Sequence, residues 1–510
     1  MLAKVNSYSI MGINGYGVDI EVDINSGLPS YDTVGLPDTA VKEGKERIRS
    51  AIKNSGLQFP VKKITINLAP ADTKKEGPSF DLPIAISILV ASEQVKTKKY
   101  KDFIILGELS LDGSVKSVNG VLPIVIAAYK KGHHKFILPK DNVNEASYIE
   151  GAEVYGVANL AETVMFLNNE IELTPAERRI FKNGDAVNKY GVDMSDVKGQ
   201  AAAKRAIEIA VAGGHNVMMI GPPGAGKSML AKCVPTIMPD MTFDEALEVT
   251  KIHSVAGLID QTQGMLVNRP FRSPHHTATK TALAGGGASC KPGEISYAHN
   301  GVLFLDEMPE YSRESLEILR QPLEDGVINV ARAVGTVEYP AKFMLIASMN
   351  PCPCGNYGSR KRICSCTPSQ IHKYLSKLSG PMMDRIDIHI EVDNLDYAQL
   401  SDKALGESSA TVKKRIEKAR EIQRERFKGT KTDTNAHMTS AQINKYCHLD
   451  EECDHLLRMA YEKLNLSARA STRILKVART IADIEGSENI GINHLSEAIQ
   501  YRSLDRKYNV

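Results

Sequence analysis

Residues 217–228 read Val-Met-Met-Ile-Gly-Pro-Pro-Gly-Ala-Gly-Lys-Ser, and this stretch decides how the surrounding chain folds. Its four apolar residues predict a buried strand, and Gly221 to Ser228 fit the pattern G-x-x-x-x-G-K-S in full. A loop of this kind, between a strand and the N-terminus of a helix, cradles phosphate oxygens with its backbone N–H groups. A chance glycine-rich turn is the alternative, but such a turn would need neither the strand before it nor the helix after it.

The phosphate loop predicts a site for ATP and Mg²⁺. Lys227 would bring its positive charge to the β- and γ-phosphates, and Ser228 would bind the Mg²⁺ ion. The glycines allow a close approach of the backbone and positive φ angles. The residues expected to contact the nucleotide are Gly221, Pro222, Pro223, Gly224, Ala225, Gly226, Lys227, Ser228 and Met229.

Two more predicted strands end in polar residues that would complete this site. The run Gly301–Leu305 leads into Asp306 and Glu307, and the run Phe343–Met349 leads into Asn350. Ligands bind at the carboxyl ends of the strands in open α/β sheets, so these side chains should lie beside the phosphate loop. Asp306 would hold Mg²⁺ through water, Glu307 would orient or deprotonate the attacking water, and Asn350 would sense the γ-phosphate. The alternatives are a solvated strand end for the acidic pair and a plain turn for Asn350.

Three arginines farther along the chain are candidates for contact with the γ-phosphate. Arg385 lies in Pro381-Met-Met-Asp-Arg-Ile-Asp387, just before another predicted strand, and could act on the nucleotide of a neighbouring subunit as an arginine finger. Arg469 and Arg473 lie four residues apart on one helix, where one of them could reach phosphate within its own subunit. The alternative for each is a surface arginine paired with Asp or Glu.

The pattern on both sides of this region divides the chain into four parts. Residues 1–168 alternate short β-rich runs with helical ones, and residues 169–192 are polar and indicate a linker. Residues 193–394 alternate strands and helices in the manner of a parallel α/β sheet, and residues 395–510 are helical. In this last part a helix over 467–484 should stop at Gly486, and Asn493 should cap the final helix. The predicted fold is a multidomain α/β and α+β protein with a C-terminal helical lid.

The composition excludes several classes of protein. Hydrophobic residues at 42% and charged residues at 24% exclude a disordered chain of 510 residues. Lys and Arg number 63 against 61 Asp and Glu, so a nucleic-acid site would have to be a local patch. No apolar run approaches the ~20 residues that cross a bilayer, and no secretory signal is evident, so we expect no membrane partner. The basic residues from Lys413 to Arg426 alternate with glutamates, which favours a solvated, salt-bridged helix over a DNA patch.

Eight cysteines in a chain of this length indicate a reducing, cytoplasmic setting rather than a disulfide scaffold. Four of them form two close pairs, Cys352-x-Cys354 and Cys364-x-Cys366. Four thiolates can hold Zn²⁺ tetrahedrally and would stiffen the loop that follows Asn350. The spacing departs from the usual C-x₂-C knuckle, and the alternative is four reduced thiols or a redox-labile loop.

Residues 193–392 resemble the magnesium-chelatase-like branch of the AAA+ ATPases. Besides the phosphate loop, four motifs carry the resemblance: Phe271-Arg-Ser-Pro-His-His276, Pro292–Glu307, Leu323-Glu-Asp-Gly326 and Asn350-Pro-Cys-Pro-Cys-Gly355. Together with the N-terminal region and with residues 469–483, the resemblance covers nearly the whole chain and is closest to the YifB/ComM family. The ComM members of that family are hexameric DNA branch-migration helicases of natural transformation. The resemblance thus implies a homohexamer, a DNA partner and helicase activity.

The same resemblance assigns roles to individual residues. Arg385 matches the arginine finger that acts in trans, and Arg469 matches the sensor-2 arginine, with Arg473 as the second choice. Residues 324–338 resemble the pre-sensor hairpin of the minichromosome-maintenance helicases, in which a basic residue in the pore touches DNA phosphate. Arg332 has that place here, and the alternative is an arginine that only solubilises an edge strand.

The N-terminal region resembles the Lon protease domain, which has a fold like ribosomal S5 domain 2. Lys74-Lys-Glu-Gly-Pro-Ser79 resembles the segment that bears the catalytic serine, and residues 107–128 resemble the stretch that follows it. A Ser/Lys dyad needs a lysine amine to deprotonate the serine hydroxyl. Leu122 has the place of that lysine, so we expect a Lon-like fold without peptidase activity that serves assembly or DNA binding. Rescue by Lys116 or Lys130 is the alternative.

The sequence therefore predicts a hexameric Mg-ATP-dependent DNA motor, acting as a helicase or branch-migration factor in recombination or natural transformation. A first alternative is the ATPase subunit of a metal-chelatase complex, against which the Lon-like region and the cysteine cluster count. A second alternative is a Lon-like peptidase, against which the leucine at position 122 counts.

Overall fold

The computed structural model describes residues 1–182, 190–287, 290–332, 335–358, 362–394, 406–464 and 466–504. Two large β-sheets flanked by helices come first along the chain, and a group of helices follows. The fold is therefore a mixed α/β multidomain one with C-terminal helices, as expected from the sequence. None of the described helices is long and apolar enough to cross a membrane.

The N-terminal part is built on a seven-stranded sheet. Its strands and those beside it are β1 (Leu2–Met11), β2 (Asn14–Asn25), β3 (Ser30–Val34), β4 (Lys63–Ala69), β5 (Phe103–Ile105), β6 (Glu108–Leu109), β7 (Val115–Lys116), β8 (Lys135–Pro139) and β9 (Glu153–Val157). The sheet order is β3-β4-β2-β1-β5-β8-β9, and β1 and β2 form a long antiparallel hairpin at its centre. In β2 the alternate residues Val18, Ile20 and Val22 are buried, which is the period of two that a sheet with one covered face requires.

Five helices pack on this sheet: α1 (Thr39–Asn54), α2 (Asp81–Ala91), α3 (Val121–Lys130), α4 (Val143–Ala146) and α5 (Leu160–Leu167). The helix α1 begins where the side chain of Asp38 accepts a hydrogen bond from the Val41 amide, which caps the first turn. The helix α2 is buried on nearly every side, because its residues are almost all apolar. Residues 169–182 form neither helix nor strand, and their backbone amides bond to Val154 and Ser147 of the N-terminal part.

The second sheet is the one that contains the phosphate loop. Its part of the chain has the strands β10 (Val217–Ile220), β11 (Phe271–Arg272), β12 (Gly285–Gly286), β13 (Lys291–Pro292), β14 (Val302–Leu305), β15 (Val327–Arg332), β16 (Gly335–Pro340), β17 (Met344–Met349) and β18 (Ile388–Glu391). The helices are α6 (Ala201–Gly213), α7 (Lys227–Ile237), α8 (Phe243–Ala256), α9 (Lys280–Ala284), α10 (Glu294–Tyr297), α11 (Arg313–Glu317), α12 (Arg320–Asp325), α13 (Pro368–Leu375) and α14 (Gly380–Met383).

Five parallel strands make this sheet, in the order β11-β14-β17-β10-β18. Residues of β10, β14 and β17 are buried throughout, which explains why each is a continuous apolar run. The carboxyl ends of these three neighbouring strands lead into Gly221, Asp306 and Asn350. The sheet therefore brings the three predicted parts of the nucleotide site to one edge.

The C-terminal part consists of helices, namely α15 (Ser409–Arg426), α16 (Ser440–Tyr446), α17 (Glu451–Leu464), α18 (Ala468–Glu485) and α19 (Ile492–Gln500). Ser467 caps α18 and Gly486 ends it, as predicted. The prediction that Asn493 caps the last helix was wrong, because α19 begins at Ile492 and its cap is Gly491. Apolar residues of α18 share one core with α6 and with the phosphate-loop sheet, so these helices lie directly on that sheet.

The N-terminal part contacts the part of the chain that contains the second sheet, both through hydrogen bonds and through packing. The amide of Gly120 donates to the carbonyl of Ser254 over 3.0 Å, and the hydroxyl of Ser254 donates to Glu145 over 2.8 Å. The turn between β1 and β2 lies against β16, because a Cβ built on Gly12 would be 2.2 Å from Val337. The hairpin β15–β16 is thus in direct contact with the N-terminal part.

Candidate functional site

The phosphate loop leaves β10 and enters α7 with two residues in the left-handed region. Gly224 has φ of +79° and Gly226 has φ of +91°, and a Cβ on either would meet nothing within 4 Å. The backbone conformation therefore requires glycine there, and the space in front of the loop is open. This is the form of loop whose N–H groups and helix N-terminus bind phosphate oxygens.

Lys227 is the first residue of α7 and is nearly fully buried. Its ammonium group donates to the carbonyl oxygens of Gly221 over 2.7 Å and Pro222 over 2.9 Å, and to Oδ1 of Asn350 over 3.3 Å. Burial lowers the pKa of Lys227, while the charges of Asp306 and Glu307 oppose that shift. The one cation of the loop thus lies next to Asn350 and within the field of both carboxylates.

Asp306 follows β14 and faces the first turn of α7. The Ser228 hydroxyl donates to its Oδ2 over 2.9 Å, and the Ser348 hydroxyl donates to its Oδ1. A hydroxyl and a carboxylate side by side are the oxygen donors that Mg²⁺ prefers, since this ion is held by one or two carboxylates and by substrate phosphates. The side chains of Ser228 and Asp306 therefore suit the magnesium site expected from the sequence.

Glu307 is exposed and has φ of +51°, which is unusual for a residue other than glycine. Its amide donates to Ser348 Oγ over 3.3 Å and to Asp306 Oδ1 over 3.2 Å. These bonds hold the backbone in the left-handed turn and leave the carboxylate of Glu307 facing solvent, where it can meet a water molecule.

Two residues of this site were missed in the sequence. Ser348 is a fully buried serine inside the apolar strand β17, and a lone polar residue in such a strand is the signal that could have found it. Gln200 has φ of 54°, and its Nε2 donates to the carbonyl oxygens of Ala225 over 3.3 Å and Asp393 over 2.6 Å. It ties the phosphate loop to the segment after β18, a contact that no local pattern indicates.

The arginines lie at the other edge of the sheet. Residues Arg385 and Asp387 precede β18, which runs parallel to β10, and the amide of Asp387 bonds to the carbonyl of Asn216 over 3.0 Å, just before β10 begins. The phosphate loop follows the four residues of β10, so the two edges are roughly 13 Å apart along the strands. Arg385 is 5% exposed and is paired with Glu324 of α12.

Arg473 of α18 binds the Oδ1 of Asp387, so it too lies at the edge opposite the phosphate loop of its own chain. Burial opposes ionisation of Asp387, but the charges of Arg473 and His215 hold the pKa of this carboxyl well below its usual range. Burial also lowers the pKa of Arg385, and the positive charges of Arg320, Arg469 and Arg473 add to that lowering. The expected contact of Arg473 with phosphate of its own subunit therefore does not match its position.

Comparison with known proteins agrees with this geometry. Residues 193–400 match the family model described as magnesium chelatase, subunit ChlI. Residues 20–142 match the one described as subunit ChlI of Mg-chelatase, and residues 406–502 match the one described as magnesium chelatase, subunit ChlI C-terminal. The chain is 46% identical over 508 residues to the uncharacterized protein YifB of Escherichia coli, covering 99% of this chain and 98% of that protein. It is 45% identical over 513 residues to the competence protein ComM of Haemophilus influenzae, with coverage of 99% and 98%.

The chain belongs to the YifB/ComM family. This is a magnesium-chelatase-like AAA+ family. Membership of it implies that the chain binds a nucleotide with Mg²⁺ and is an ATPase. The chain is also 35% identical over 183 residues to Lon protease 2 of Borreliella burgdorferi, which covers 33% of this chain and 23% of that protein. The Lon likeness is therefore partial.

In this YifB/ComM family member, the strands β15 and β16 form an antiparallel hairpin, and Arg332 pairs with Gly335 at its end. Ile328, Val330 and Tyr339 are buried against the core, so the arms are anchored at their base. Residues 333 and 334 lie outside the described residues, and the side chain of Arg332 does too. The backbone of Arg332 is thus at the tip of the hairpin.

In the N-terminal part, Ser79 lines a cavity of about 390 Å³ together with Asp38 and Glu108. Leu122, in the place expected for a catalytic lysine, is fully buried in α3. Within the described ranges no lysine ammonium hydrogen-bonds the Ser79 hydroxyl. The cavity also reaches Val337 of the hairpin, so it lies between the two parts of the chain.

The four clustered cysteines come together although their spacing is unusual. Their Sγ atoms all lie within 4.8 Å of one another. Cys352 is buried, and Cys354, Cys364 and Cys366 are half-buried. The other four cysteines are buried, free and apart from this cluster, at positions 233, 290, 447 and 453.

Proposed function

We propose that this chain is the subunit of a homohexameric, Mg-ATP-dependent motor that moves on DNA in the cytoplasm. The observation that carries the proposal is the separation of the phosphate loop from Arg385 and Arg473, at opposite edges of one parallel sheet. Arginines that cannot reach the phosphate of their own subunit can complete the site of a neighbour. The proposed modules are a Lon-like part (1–168), a linker (169–192), an AAA+ core (193–394) and a helical lid (395–510).

The residues at the phosphate-loop edge would share the work of hydrolysis. Bound Mg²⁺ would neutralise phosphate charge, and Ser228 and Asp306 are the residues that would hold it. Lys227 would place its charge on the phosphates, and Asn350 beside it would orient the γ-phosphate and the attacking water. Glu307 would accept the proton of that water at its exposed carboxylate.

The arginines would act across the subunit interface. Arg385 is the proposed finger, and its guanidinium, which pairs with Glu324 in the single chain, lies in the field of Arg320, Arg469 and Arg473. Arg469 and Arg473, on α18 near Arg385, would join it at the same neighbouring phosphate rather than at their own. A phosphate anion between three guanidinium groups would relieve their mutual repulsion.

The proposal that DNA is a partner rests on the hairpin β15–β16 and on the similarity to a named competence protein. Arg332 at the tip of β15–β16 would contact DNA phosphate, and the absence of a large net charge means that such contacts are few and local. The relative of Haemophilus influenzae is named a competence protein, which supports a role in natural transformation or recombination. Helicase or branch-migration activity is the form of motion that we propose.

The test is an ATPase assay with and without single-stranded or forked DNA, together with strand displacement on the same substrates. We expect DNA to stimulate hydrolysis several-fold, and Lys227→Ala and Glu307→Gln to abolish turnover and unwinding, as loss of electrostatic stabilisation and of the base requires. Arg332→Ala should lower the DNA stimulation and leave basal hydrolysis intact. If DNA does not change the rate of ATP hydrolysis in either the wild type or Arg332→Ala, the proposed motor function is contradicted.

A second candidate function is the ATPase subunit of a metal-chelatase complex, because all three matching family models are described as magnesium chelatase subunits. Such a subunit would hydrolyse ATP without responding to DNA, so the same assay separates the two. A Lon-like peptidase is the weakest candidate, because Leu122 is buried and apolar where a lysine base is needed. Casein cleavage that disappears in Ser79→Ala would be needed to support it.

A further inference from the structure

The four clustered thiols have the spacing of metal ligands. Cys352 Sγ lies 3.4 Å from Cys354 Sγ and 3.6 Å from Cys364 Sγ, and Cys354 and Cys364 are also 3.6 Å apart. A disulfide needs about 2.05 Å between sulfur atoms. Four thiolates about 2.3 Å from a tetrahedral Zn²⁺ lie about 3.8 Å from one another. All four Sγ atoms lie within 4.8 Å of one another, so a small adjustment of their positions accommodates the ion.

The described part of the loop that carries these thiols has no helix or strand to hold its conformation. From Asn350 to Thr367, its described residues form no helix or strand, and Ile363 is 95% exposed. A segment without an apolar core needs a cross-link or a metal to keep one conformation. The backbone amide of Tyr357 donates to Cys352 Sγ over 3.3 Å, an N–H···S contact of the kind that supports metal-bound thiolates.

The charge around the cluster suits a tetrathiolate. Four thiolates and one Zn²⁺ carry a net charge of about −2, which needs compensation in a half-buried site. The chain between the two cysteine pairs contains Arg360, Lys361 and Arg362. Of these, Arg362 lies within the described residues, is exposed, and comes two residues before Cys364 in the sequence.

The same loop contacts the nucleotide site at two points. Asn350 lies two residues before Cys352, and its backbone amide faces the hydroxyl oxygen of Tyr374 in α13, beyond the last cysteine. Gly355, between the cysteine pairs, packs on the phosphate loop so closely that a Cβ would lie 2.5 Å from Pro223. Any force that fixes the cysteine loop therefore fixes both Asn350 and the phosphate loop.

We propose that Cys352, Cys354, Cys364 and Cys366 bind one Zn²⁺ as thiolates, and that this ion holds Asn350 against the phosphate loop. The four thiols release their protons to solvent as the four Zn–S bonds form, and no group is oxidised or reduced. The binding of zinc stands on the thiol geometry alone. The link to hydrolysis rests on the proposed ATPase function.

The first test is the metal content of the full-length protein, purified without chelator and measured by inductively coupled plasma mass spectrometry. We expect about one Zn per chain in the wild type and in Cys447→Ala, a control at a buried cysteine outside the cluster. Cys364→Ala should lose the metal. A wild type without zinc, or zinc retained in Cys364→Ala, would overturn the proposal.

A second measurement covers the case in which Cys364→Ala does not fold. Mercurial titration of the wild type should release one Zn per chain, seen with a metallochromic dye, and the intact mass should show eight free thiols before titration. Disulfide bonds within the cluster instead of bound metal would contradict the site.

The link to the nucleotide site is tested by ATPase kinetics of the same proteins. We expect kcat to fall about tenfold in Cys364→Ala, while Cys447→Ala matches the wild type. Full activity in zinc-free Cys364→Ala would overturn the link. If the wild type binds zinc and hydrolyses no ATP, the proposed function fails and the metal site stands, so the two failures are distinguishable.

Discussion

Asp306 is held by two serine hydroxyls, and one of them lies outside the phosphate-loop motif. Ser228 belongs to the loop, whereas Ser348 reaches Asp306 from inside β17, the neighbouring strand. The same Ser348 oxygen accepts the amide of Glu307, so it orients both acidic residues. A hydrogen bond to a charged group is stronger than one between neutral groups, and so Ser348 should matter for the Mg²⁺ site.

Ser348→Ala removes this donor without changing the strand. Because Asp306 loses a charge-assisted hydrogen bond worth about 1.5 kcal/mol, its carboxylate is less well oriented for Mg²⁺. We expect the Mg²⁺ concentration at half-maximal ATPase activity to rise about tenfold, measured by titration at saturating ATP.

Ser296→Ala is the matched control. Ser296 is also fully buried, but within the described part of the chain its hydroxyl has no hydrogen-bond partner. The Mg²⁺ dependence of this variant should equal that of the wild type. Equal titration curves for Ser348→Ala and the wild type would show that Asp306 does not depend on Ser348.

At the scale of single residues, the motifs predicted those residues of the site that follow directly after a predicted strand or belong to the phosphate loop. Lys227, Ser228, Asp306 and Asn350 meet because neighbouring strands of a parallel sheet end at one edge, which the sequence order allowed us to expect. The location of Arg473 was not predictable, because its partner Asp387 lies 86 residues away in the sequence, just before β18. Whether these residues hydrolyse ATP is still a prediction.

At the scale of elements, the hairpin β15–β16 is coupled to the N-terminal part through one turn. Gly12 lies in the tight turn between β1 and β2, and its φ is +64°. There is no room for a side chain, because a Cβ would lie 2.2 Å from Val337 of β16. A movement of the hairpin must therefore move the N-terminal turn or break the contact.

Gly12→Ala should disturb the hairpin without touching the nucleotide site. The added methyl group would displace Val337, and alanine at positive φ adds strain of about 1–2 kcal/mol. If the hairpin contacts DNA, the stimulation of ATPase activity by DNA should fall at least about fivefold while basal hydrolysis is retained. An ATPase assay with and without forked DNA measures both quantities.

Gly56→Ala is a control that distinguishes the effect of backbone strain from the effect of a steric clash with Val337. Gly56 has φ of +75° in the same N-terminal part, and a Cβ there meets nothing within 4 Å. This variant should carry the same backbone strain and keep the full DNA response. A loss of DNA response that is equal in the two variants would refute the coupling through Val337.

The charged helix α15 is salt-bridged, as predicted, but Arg415 and Lys413 take their partners from other segments of the chain. The alternation of basic residues and glutamates predicted a solvated helix with ion pairs along its own face. Instead Arg415 pairs with Glu208 of α6, Lys413 pairs with Asp240, and Arg420 donates to the carbonyl of Val211. These basic residues pair with groups on other segments rather than with the glutamates four residues away, because α15 lies against α6 and α7. These three basic residues thus fasten α15 to the part of the chain that contains the phosphate loop.

At the scale of the whole molecule, a buried carboxyl lies between the N-terminal part and α8. Glu145 accepts from Asn142 over 2.8 Å and from Ser254 of α8 over 2.8 Å, and the backbone of Leu122 also faces it. Burial raises the pKa of Glu145 to about 7, and these hydrogen bonds offset only part of the rise. The contact between the two parts should therefore respond to pH.

The sign of the response follows from the raised pKa. Below pH 4.5, the ordinary pKa of a glutamate, Glu145 is protonated in both folded and unfolded chains. Between pH 4.5 and about 7 the unfolded chain ionises while the folded one keeps its proton, so stability falls as the pH rises, by up to about 3 kcal/mol. Above that range this group causes no further loss.

Glu145→Gln, which stays neutral, should remove this part of the pH dependence. We expect the melting temperature of the wild type to fall more between pH 5 and pH 8 than that of the variant, measured by scanning calorimetry on the full chain. Parallel melting curves across that range would show that Glu145 does not ionise differently in the folded state.

The order of parts along the chain was predictable, and their contacts were not. Strand and helix patterns predicted two α/β regions and a helical end, because periods of 2 and 3.6 are local properties. The packing of Gly12 on the hairpin and of Gly355 on the phosphate loop depends on distant chain segments.

The central claim is that two protomers share each ATP site, and complementation tests it most directly. Lys227→Ala keeps its arginines and Arg385→Ala keeps its phosphate loop, so each should be inactive alone. Mixed as monomers before assembly, they should regain a fraction of wild-type ATPase activity, whereas the double variant mixed with either should regain none. Full hydrolysis by Arg385→Ala alone, or no gain on mixing in assembled hexamers, would contradict the account.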